Sequence, residues 1–239
     1  MIDVHTHILP GIDDGSQSVE TSIEMLEMLA NYDVSDVVAT PHFKPRVNDD
    51  IDKFIAMRNE SYSKLMGAIA GRNDLPRIRL GAEATICVDM ARMHNLNRLC
   101  IEGTEYILTE LDINSFGGWV FNTLFEMRVK QSVIPIIAHI DRYIHVLRRD
   151  TIRKIMELGC PVQFNTSALF HRSVRKEMIA LVREYPAQIC LVGTDCHDTV
   201  YRKPDLQKFI SKADKYLGPG FLNYVEDRSQ KLIEGKLIY

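Results

Sequence analysis

Two histidines one residue apart, His5 and His7, lie near the start of the chain. Around them the apolar residues Ile2 and Val4 alternate with polar neighbours, which is typical of a half-buried strand. Because side chains two positions apart on a strand point the same way, we expect both imidazoles to converge beyond the strand's carboxyl end. Imidazole nitrogens are common ligands of divalent transition metals. An H-x-H pair alone is a weak signal, however, and also occurs as two ordinary surface or capping histidines.

Other side chains that can bind metals follow the later predicted strands in the same way. The full set is His5, His7, His42, Glu83, Glu110, His139, Asp195 and His197. These residues come from six predicted strand–helix units, and each lies at or just past the end of its strand. Ligands of parallel α/β folds bind at the carboxyl ends of the strands. The distribution therefore predicts a metal centre at that edge.

This set of ligands is larger than one metal ion needs. A single hydrolytic zinc takes about three protein ligands and a water, so the set favours two or three ions bridged by carboxylate and hydroxide. Neighbouring ions clamp a phosphoryl group and lower the pKa of the attacking water. Hydrolysis of a phosphoester is the reaction that we expect.

Alternating strand and helix patterns predict the scaffold that carries these residues. We predict seven strands, at residues 1–7, 36–40, 77–80, 105–109, 133–137, 161–164 and 189–192. Helices are predicted from Ser18 as N-cap to about residue 31, and at about 49–71, 118–130, 151–158 and 174–184. Such alternation implies a parallel sheet, which can close into a barrel. With no linker or repeat in the sequence, we expect one domain over residues 1–239.

Composition restricts the class of protein. Hydrophobic residues make up 46% of the 239 residues and charged residues 26%, as in globular proteins. The net charge of -3 argues against a general nucleic-acid binder. No apolar run could span a bilayer. The five scattered cysteines and the predicted strand at the very start indicate a chain without signal peptide, in a reducing cytoplasm.

The ordered motifs resemble those of the PHP (polymerase and histidinol phosphatase) superfamily of metal-dependent phosphoesterases. Its pattern is an initial H-x-H, a downstream His, a Glu, a later His and a terminal D-x-H. Residues 3–7, the Asp-Asp-Gly at 13–15 and residues 138–143 look like the bacterial tyrosine-protein phosphatases of capsule and exopolysaccharide operons. The resemblance covers essentially the whole chain. It implies a distorted (β/α)7 TIM-like barrel with three divalent metal ions, manganese first and iron, cobalt or zinc as alternatives.

The resemblance also implies which residue binds which ion. His5, His7, Glu83 and Asp195 would bind the first metal, and Glu83, Glu110 and His139 the second, with Glu83 bridging. Asp14, His42 and His197 would bind the third. A carboxylate has two oxygens and can join two cations, whereas imidazole cannot.

Two arginines follow proposed ligands at short spacing, Arg142 after His139 and Arg202 after His197. A guanidinium matches phosphate oxygens in pairs and stays charged, so we predict that both bind the phosphate and stabilise the transition state. The alternative is surface salt bridging. Cys196 lies between two ligands, and we expect it to pack in the core rather than to act as a nucleophile.

The resemblance implies a cytoplasmic phosphatase that removes phosphate from a bacterial tyrosine kinase controlling polysaccharide synthesis, by attack of a metal-bridging hydroxide. Alternatives are a small-molecule phosphatase such as histidinol-phosphate phosphatase, a PHP-type nuclease, or a non-catalytic binding module. Residues 43–46 and 114–119 either receive the phosphotyrosine ring and peptide or only pack loops. We expect no direct membrane insertion, while oligomeric state and the roles of His145 and His171 stay open.

Overall fold

The computed structural model describes residues 1–45 and 50–238. Nine strand segments occur in it: β1 Ile2–Thr6, β2 Asp36–Ala39, β3 His42–Phe43, β4 Arg77–Leu80, β5 Glu83–Thr85, β6 Tyr106–Glu110, β7 Ile134–Ile137, β8 Val162–Asn165 and β9 Ile189–Gly193. Every pairing between them is parallel. The predicted parallel arrangement is therefore confirmed.

Helices follow most of the strands, as the sequence pattern predicted. They are α1 Val19–Ala30, α2 Asp50–Ala68, α3 Gly118–Gln131, α4 Ile140–Tyr143, α5 Arg149–Glu157, α6 Arg172–Glu184, α7 Leu206–Leu217 and α8 Phe221–Ile233, with short 3-10 turns at Met90–Arg92, Leu96–Leu99 and Thr166–Leu169. Ser18 is the predicted N-cap of α1, and its side chain accepts from the Thr21 amide. Asp49, where we predicted the second helix to begin, lies outside the described residues. None of the described helices is long and apolar enough to cross a lipid bilayer.

The strands form one sheet in the order β1-β2-β4 and another in the order β3-β5-β6-β7-β8-β9. The number nine differs from the predicted seven because two strands are interrupted, one at Thr40-Pro41 between β2 and β3 and one at Gly81-Ala82 between β4 and β5. Proline has no amide hydrogen to donate to the ladder. Pairing nevertheless continues across the interruption, since the Glu83 amide donates to the Pro41 carbonyl at 3.1 Å.

Contacts between β1 and the residues after β9 join the two sheets into a ring. The Asp195 amide donates to the His5 carbonyl at 2.8 Å, and the His7 amide donates to the Cys196 carbonyl at 2.9 Å. Gly193 permits this approach, because a Cβ there would lie 2.5 Å from the His5 Cβ. The fold is accordingly a distorted (β/α)7 barrel, as predicted.

Apolar side chains fill the interior of the ring below its carboxyl-end mouth. Strands β1, β2, β6, β7 and β9 contribute to one buried cluster, which includes Val4, Leu108 and Ile136. Residues of α8, and Ile238 beyond it, join the same cluster. Two further clusters pack the helices against the outside of the strands. The carboxyl ends of the strands are thus held by the apolar interior of the ring and by the helices packed around it.

Candidate metal centre

Glu83, at the start of β5, lies at the centre of the mouth and is 1% exposed. Four histidines from three parts of the ring, β1 with its carboxyl end, β3 and the end of β7, face its carboxylate. The Oε1 atom lies 2.7 Å from His139 Nε2. The Oε2 atom lies 3.3 Å from both His5 Nε2 and His7 Nε2, and 3.0 Å from His42 Nδ1. One carboxylate therefore connects all four imidazoles.

His5 and His7 converge as their spacing predicted. Their Nε2 atoms are 3.2 Å apart, and Asp195 Oδ1 lies 3.6 and 3.5 Å from them. Donor atoms that share one ion at about 2.1 Å lie about 3.0 to 3.4 Å from one another. These side chains and Glu83 are therefore close to the arrangement that one ion needs.

A second group forms on the side of the loop that follows β1. His7, His42 and His197 present ligand atoms to one point. Asp14 Oδ1 lies 3.3 Å from His42 Nε2, and its Oδ2 lies 3.8 Å from His197 Nε2. Gly15 allows this loop to fold back, since a Cβ there would lie 2.3 Å from the His7 carbonyl.

Glu110 lies at the opposite side of the mouth, at the end of β6. Its Oε1 is 3.7 Å from His139 Nε2, and it forms a third group of ligand atoms with His42 and Glu83. The nine proposed ligands thus surround one mouth. His42 contributes to two of the groups, which sequence reasoning did not anticipate.

The backbone is unusual at two of the proposed ligands. His139 has φ 29° and Asp195 has φ 54°, values in or near the left-handed region that residues other than glycine rarely adopt. Each of the two residues lies two positions after the end of its strand, β7 or β9. Such conformations concentrate at functional sites, where surrounding contacts hold them.

The site favours a bound cation electrostatically. Burial alone would raise the pKa of Glu83, but the neighbouring histidines lower it well below its usual range. Burial likewise opposes protonation of His7, yet Asp13 and Glu83 raise its pKa to about 10. Burial and the charge of His7 lower the pKa of His197 to about 4, which leaves an imidazole lone pair free.

A metal site should contain buried ligand atoms that have no hydrogen-bond partner in the protein. Within the described residues they include Glu83 Oε2 and His197 Nε2. A buried polar atom without a partner destabilises a protein by about 1 to 3 kcal/mol, and both atoms point among other ligand atoms. Imidazole nitrogen and carboxylate oxygen together suit manganese, iron, cobalt or zinc. The residues present therefore fit a divalent metal centre.

Polar residues beneath the ligands hold them in place. His7 Nδ1 donates to Asp13 Oδ2 at 2.7 Å, which turns Nε2 toward Glu83. Gln163 Oε1 accepts from the His139 amide at 2.8 Å and lies 3.2 Å from His5 Nδ1. Asn165 donates to Asp195 Oδ2 at 2.8 Å.

Gln163 and Asn165 were missed in the sequence, although two amides at alternate positions of a buried strand are a signal that could have found them. Three further carboxylates, Asp13, Asp141 and Asp198, lie beside proposed ligands in the sequence, a position from which each can support a metal-bound imidazole or cap the backbone. The structure gives Asp13 both roles, since it accepts from His7 Nδ1 and from the backbone amides of Gly15 and His42. Asp141 and Asp198 accept from backbone amides.

Arg142 and Arg202 both reach the mouth. Each guanidinium donates to Asp195, Arg142 to Oδ2 and Arg202 to Oδ1. They line a cavity of about 380 Å³ whose lining also includes Asn165, Tyr201 and Lys203. The arginines therefore lie beside the ligands, as the phosphate-binding prediction requires.

Cys196 has a spacing to Arg202 that sequence analysis overlooked, since five residues separate them as in the C-x5-R motif of cysteine-dependent phosphatases. The thiol does not fit that role. Cys196 is 0% exposed, and burial raises its pKa far above the usual value. It packs with the cluster between the first strands and α1, so the predicted core position is confirmed.

The fold and the mouth together define a (β/α)7-barrel protein with a candidate polynuclear metal centre of histidines and carboxylates. The sequence matches the family model described as capsular polysaccharide synthesis, CpsB/CapC, over residues 1–233. The chain belongs to this CpsB/CapC family.

Individual relatives agree with this assignment. The CapC protein of Staphylococcus aureus is 26% identical over 250 residues, which cover 98% of this chain and 94% of that protein. One similar crystal structure belongs to the pair YwqE of Bacillus subtilis and CpsB of Streptococcus pneumoniae, which are described as unique metal-dependent tyrosine phosphatases. It superimposes on this chain with a TM-score of 0.83 and is 22% identical in sequence. The superposition covers 100% of this chain and 96% of that one. The structure of histidinol phosphate phosphatase from Lactococcus lactis, solved with zinc, L-histidinol and phosphate, superimposes with a TM-score of 0.56 at 11% sequence identity. This superposition covers 90% of this chain and 92% of that one. These structures share the fold.

Proposed function

We propose that this chain is a metal-dependent protein-tyrosine phosphatase that dephosphorylates a tyrosine kinase controlling capsular or extracellular polysaccharide synthesis in the cytoplasm. The observation that carries the proposal is the position of Glu83, whose two carboxylate oxygens face the nitrogens of four histidines. Membership in the CpsB/CapC family supports the polysaccharide context, and the described fold matches that of metal-dependent tyrosine phosphatases.

We assign the proposed ligands to three divalent ions, with manganese as the first choice. His5, His7, Glu83 and Asp195 would hold the first ion, Glu83, Glu110 and His139 the second, and Asp14, His42 and His197 the third. Bound together, such ions would acidify a water and neutralise charge on the phosphoryl oxygens.

The protein's own residues then position the ester. Arg142 and Arg202 can exchange their contacts with Asp195 for phosphoryl oxygens, since a guanidinium binds both carboxylate and phosphate through the same fork. Their charge would stabilise the pentavalent arrangement at phosphorus. Asp13 and Gln163 keep the imidazoles oriented during the reaction. No residue needs to form a covalent phosphoenzyme.

The test is phosphate release from three substrates, a phosphotyrosine peptide, histidinol phosphate and a short oligonucleotide, after metal removal and manganese addition. We expect manganese-dependent turnover that is fastest on the peptide. The substitution His139→Ala should abolish it, and Arg142→Ala or Arg202→Ala should lower kcat by about 100- to 1000-fold with metal content unchanged. His145→Ala is the matched control, because His145 is exposed and belongs neither to the groups of ligand atoms nor to the lining of the two cavities at the mouth.

Other outcomes would replace the proposal in defined ways. Faster turnover of histidinol phosphate would assign a small-molecule phosphatase, and cleavage of the oligonucleotide a nuclease. Metal binding without turnover of any substrate would indicate a binding module. Unchanged kinetics in both arginine variants would show that Arg142 and Arg202 form only surface salt bridges.

A further inference from the structure

A second cavity, of about 360 Å³, opens on the Glu110 side of the mouth. Its lining includes Pro45, Ile86, Val88 and Trp119, together with Lys44, Thr85, Cys87, Asp112 and Ser115. We call it the Trp119 cavity. Two loops that the sequence singled out, residues 43–46 and 114–119, therefore meet here, although Arg46 lies outside the described residues.

The Trp119 cavity lies next to the candidate metal centre. Strand β5 carries Glu83 at its start and Thr85 at its end, and Thr85 Oγ1 donates to Glu110 Oε2 at 3.0 Å. Two residues along a strand span about 6.6 Å. An ester bound in the mouth with its phosphoryl group near the proposed ligands can therefore extend its remaining group past Glu110 toward the cavity.

The walls of the cavity suit an aromatic ring. Trp119 offers an indole that is held in place, because its Nε1 donates to the Ser115 carbonyl at 2.9 Å. Pro45, Ile86 and Val88 add apolar surface. The cavity on the arginine side is more highly charged. Its lining includes Arg142, Arg202 and Lys203 beside the aromatic Phe170 and Tyr201. A flat, preorganised apolar wall favours stacking with another ring.

We propose that the Trp119 cavity receives the aromatic ring of phosphotyrosine, so that the enzyme selects aryl over alkyl phosphomonoesters. This inference rests on the proposed phosphatase function and adds to it the place where the ring binds and the residue that contacts it. Trp119 would act as a specificity residue, because an alkyl ester such as phosphoserine leaves the indole without a partner ring.

Cys87 provides a reporter that does not depend on turnover. It lines the cavity and is only partly buried, whereas Cys100, Cys160, Cys190 and Cys196 are buried. Iodoacetamide should therefore label Cys87 first, and Cys87→Ser should remove this labelling. Benzylphosphonate and methylphosphonate carry similar headgroups that cannot be hydrolysed, and only the former has a ring.

With manganese present, we expect benzylphosphonate to slow labelling of Cys87 by at least about threefold more than methylphosphonate does, the factor expected for one ring contact. Trp119→Ala should remove this difference, and Trp119→Phe should retain part of it because a ring remains. Equal protection by the two phosphonates, or none by either, would overturn the assignment of the cavity.

Kinetics give a second measurement. The ratio of kcat/KM for a phosphotyrosine peptide to that for the matched phosphoserine peptide should fall by about three- to tenfold in Trp119→Ala, with partial rescue by Trp119→Phe. Turnover of phosphotyrosine without differential protection of Cys87 would reject the ring site alone. Differential protection without turnover of any ester would reject the phosphatase function alone.

Discussion

The same strands build two contrasting regions, an apolar interior and a polar mouth. On β6, Leu108 belongs to the interior cluster, and two residues later Glu110 faces His139. On β7, Ile136 is 0% exposed within the cluster, and His139 follows at the mouth. A distance of about 7 to 10 Å along the strand separates a region without charge from one with buried carboxylates and imidazoles.

The difference shows how the barrel separates stability from chemistry. The interior gains from removing apolar surface from water, about 25 cal/mol for each Å² buried. The mouth opposes folding, because groups such as Glu83 Oε2 are buried without a hydrogen-bond partner among the described residues. The stability that the apolar interior contributes therefore offsets the cost of the mouth, whose ligand atoms stay free to bind metal. Three predictions test this separation.

Glu83→Gln should have the largest effect, and that effect should concern activity. An amide has no negative charge to share between two cations, so we expect kcat to fall by more than about 100-fold, beyond the loss typical of residues that only support ligands. Metal stoichiometry should fall by at least one ion, as measured by elemental analysis. A variant that keeps all bound metal and full turnover would contradict the central role of Glu83.

Ile136→Ala should instead affect stability. Truncating this buried side chain leaves a cavity in the interior cluster, and we expect the free energy of unfolding to fall by about 2 to 5 kcal/mol in urea denaturation. Folded protein should keep its metal and most of its kcat. If activity fell as strongly as in the Glu83 variant, the two regions would not be separable.

The smallest effect concerns the pH dependence of the metal-free protein. The pKa of His7 is raised to about 10 from an ordinary 6.5, so its stabilising contribution is complete below about pH 6.5 and is lost as pH rises toward 10. Between pH 6.5 and 8.5 we expect the free energy of unfolding to decline by up to about 1.4 kcal/mol for each pH unit.

Three comparisons test whether this slope arises at the mouth. Asp13→Asn removes the carboxylate that faces His7 Nδ1 and should make the slope shallower, because only Glu83 then raises the pKa of His7. Ile136→Ala should leave the slope unchanged. Manganese should also flatten it, because a ligating imidazole stays deprotonated. An undiminished slope in Asp13→Asn would mean that another group titrates in this range, such as His5, whose pKa Glu83 and Asp195 raise against the effect of burial.

Some features were predictable because they depend on local pattern. The alternation around His5 and His7 determines which side chains share a face of β1, and the placement of ligand-type residues at the strand ends indicated a mouth. The interruptions at Thr40-Pro41 and Gly81-Ala82 were not predicted, because they depend on how neighbouring strands continue pairing across them. Gln163 lacked a metal-ligand pattern, and its role became visible only next to His5 and His139.

The sequence by itself determined the strand–helix alternation, the types of ligand and their positions at strand ends, since hydrophobic period and residue chemistry are properties of short segments. The tertiary structure decided which ligands meet. Closure of the ring at Gly193 brings Asp195 to His5, and the fold of the loop at Gly15 brings Asp14 to His42. Distances between residues far apart in the chain depend on packing of the whole ring, which no local pattern encodes.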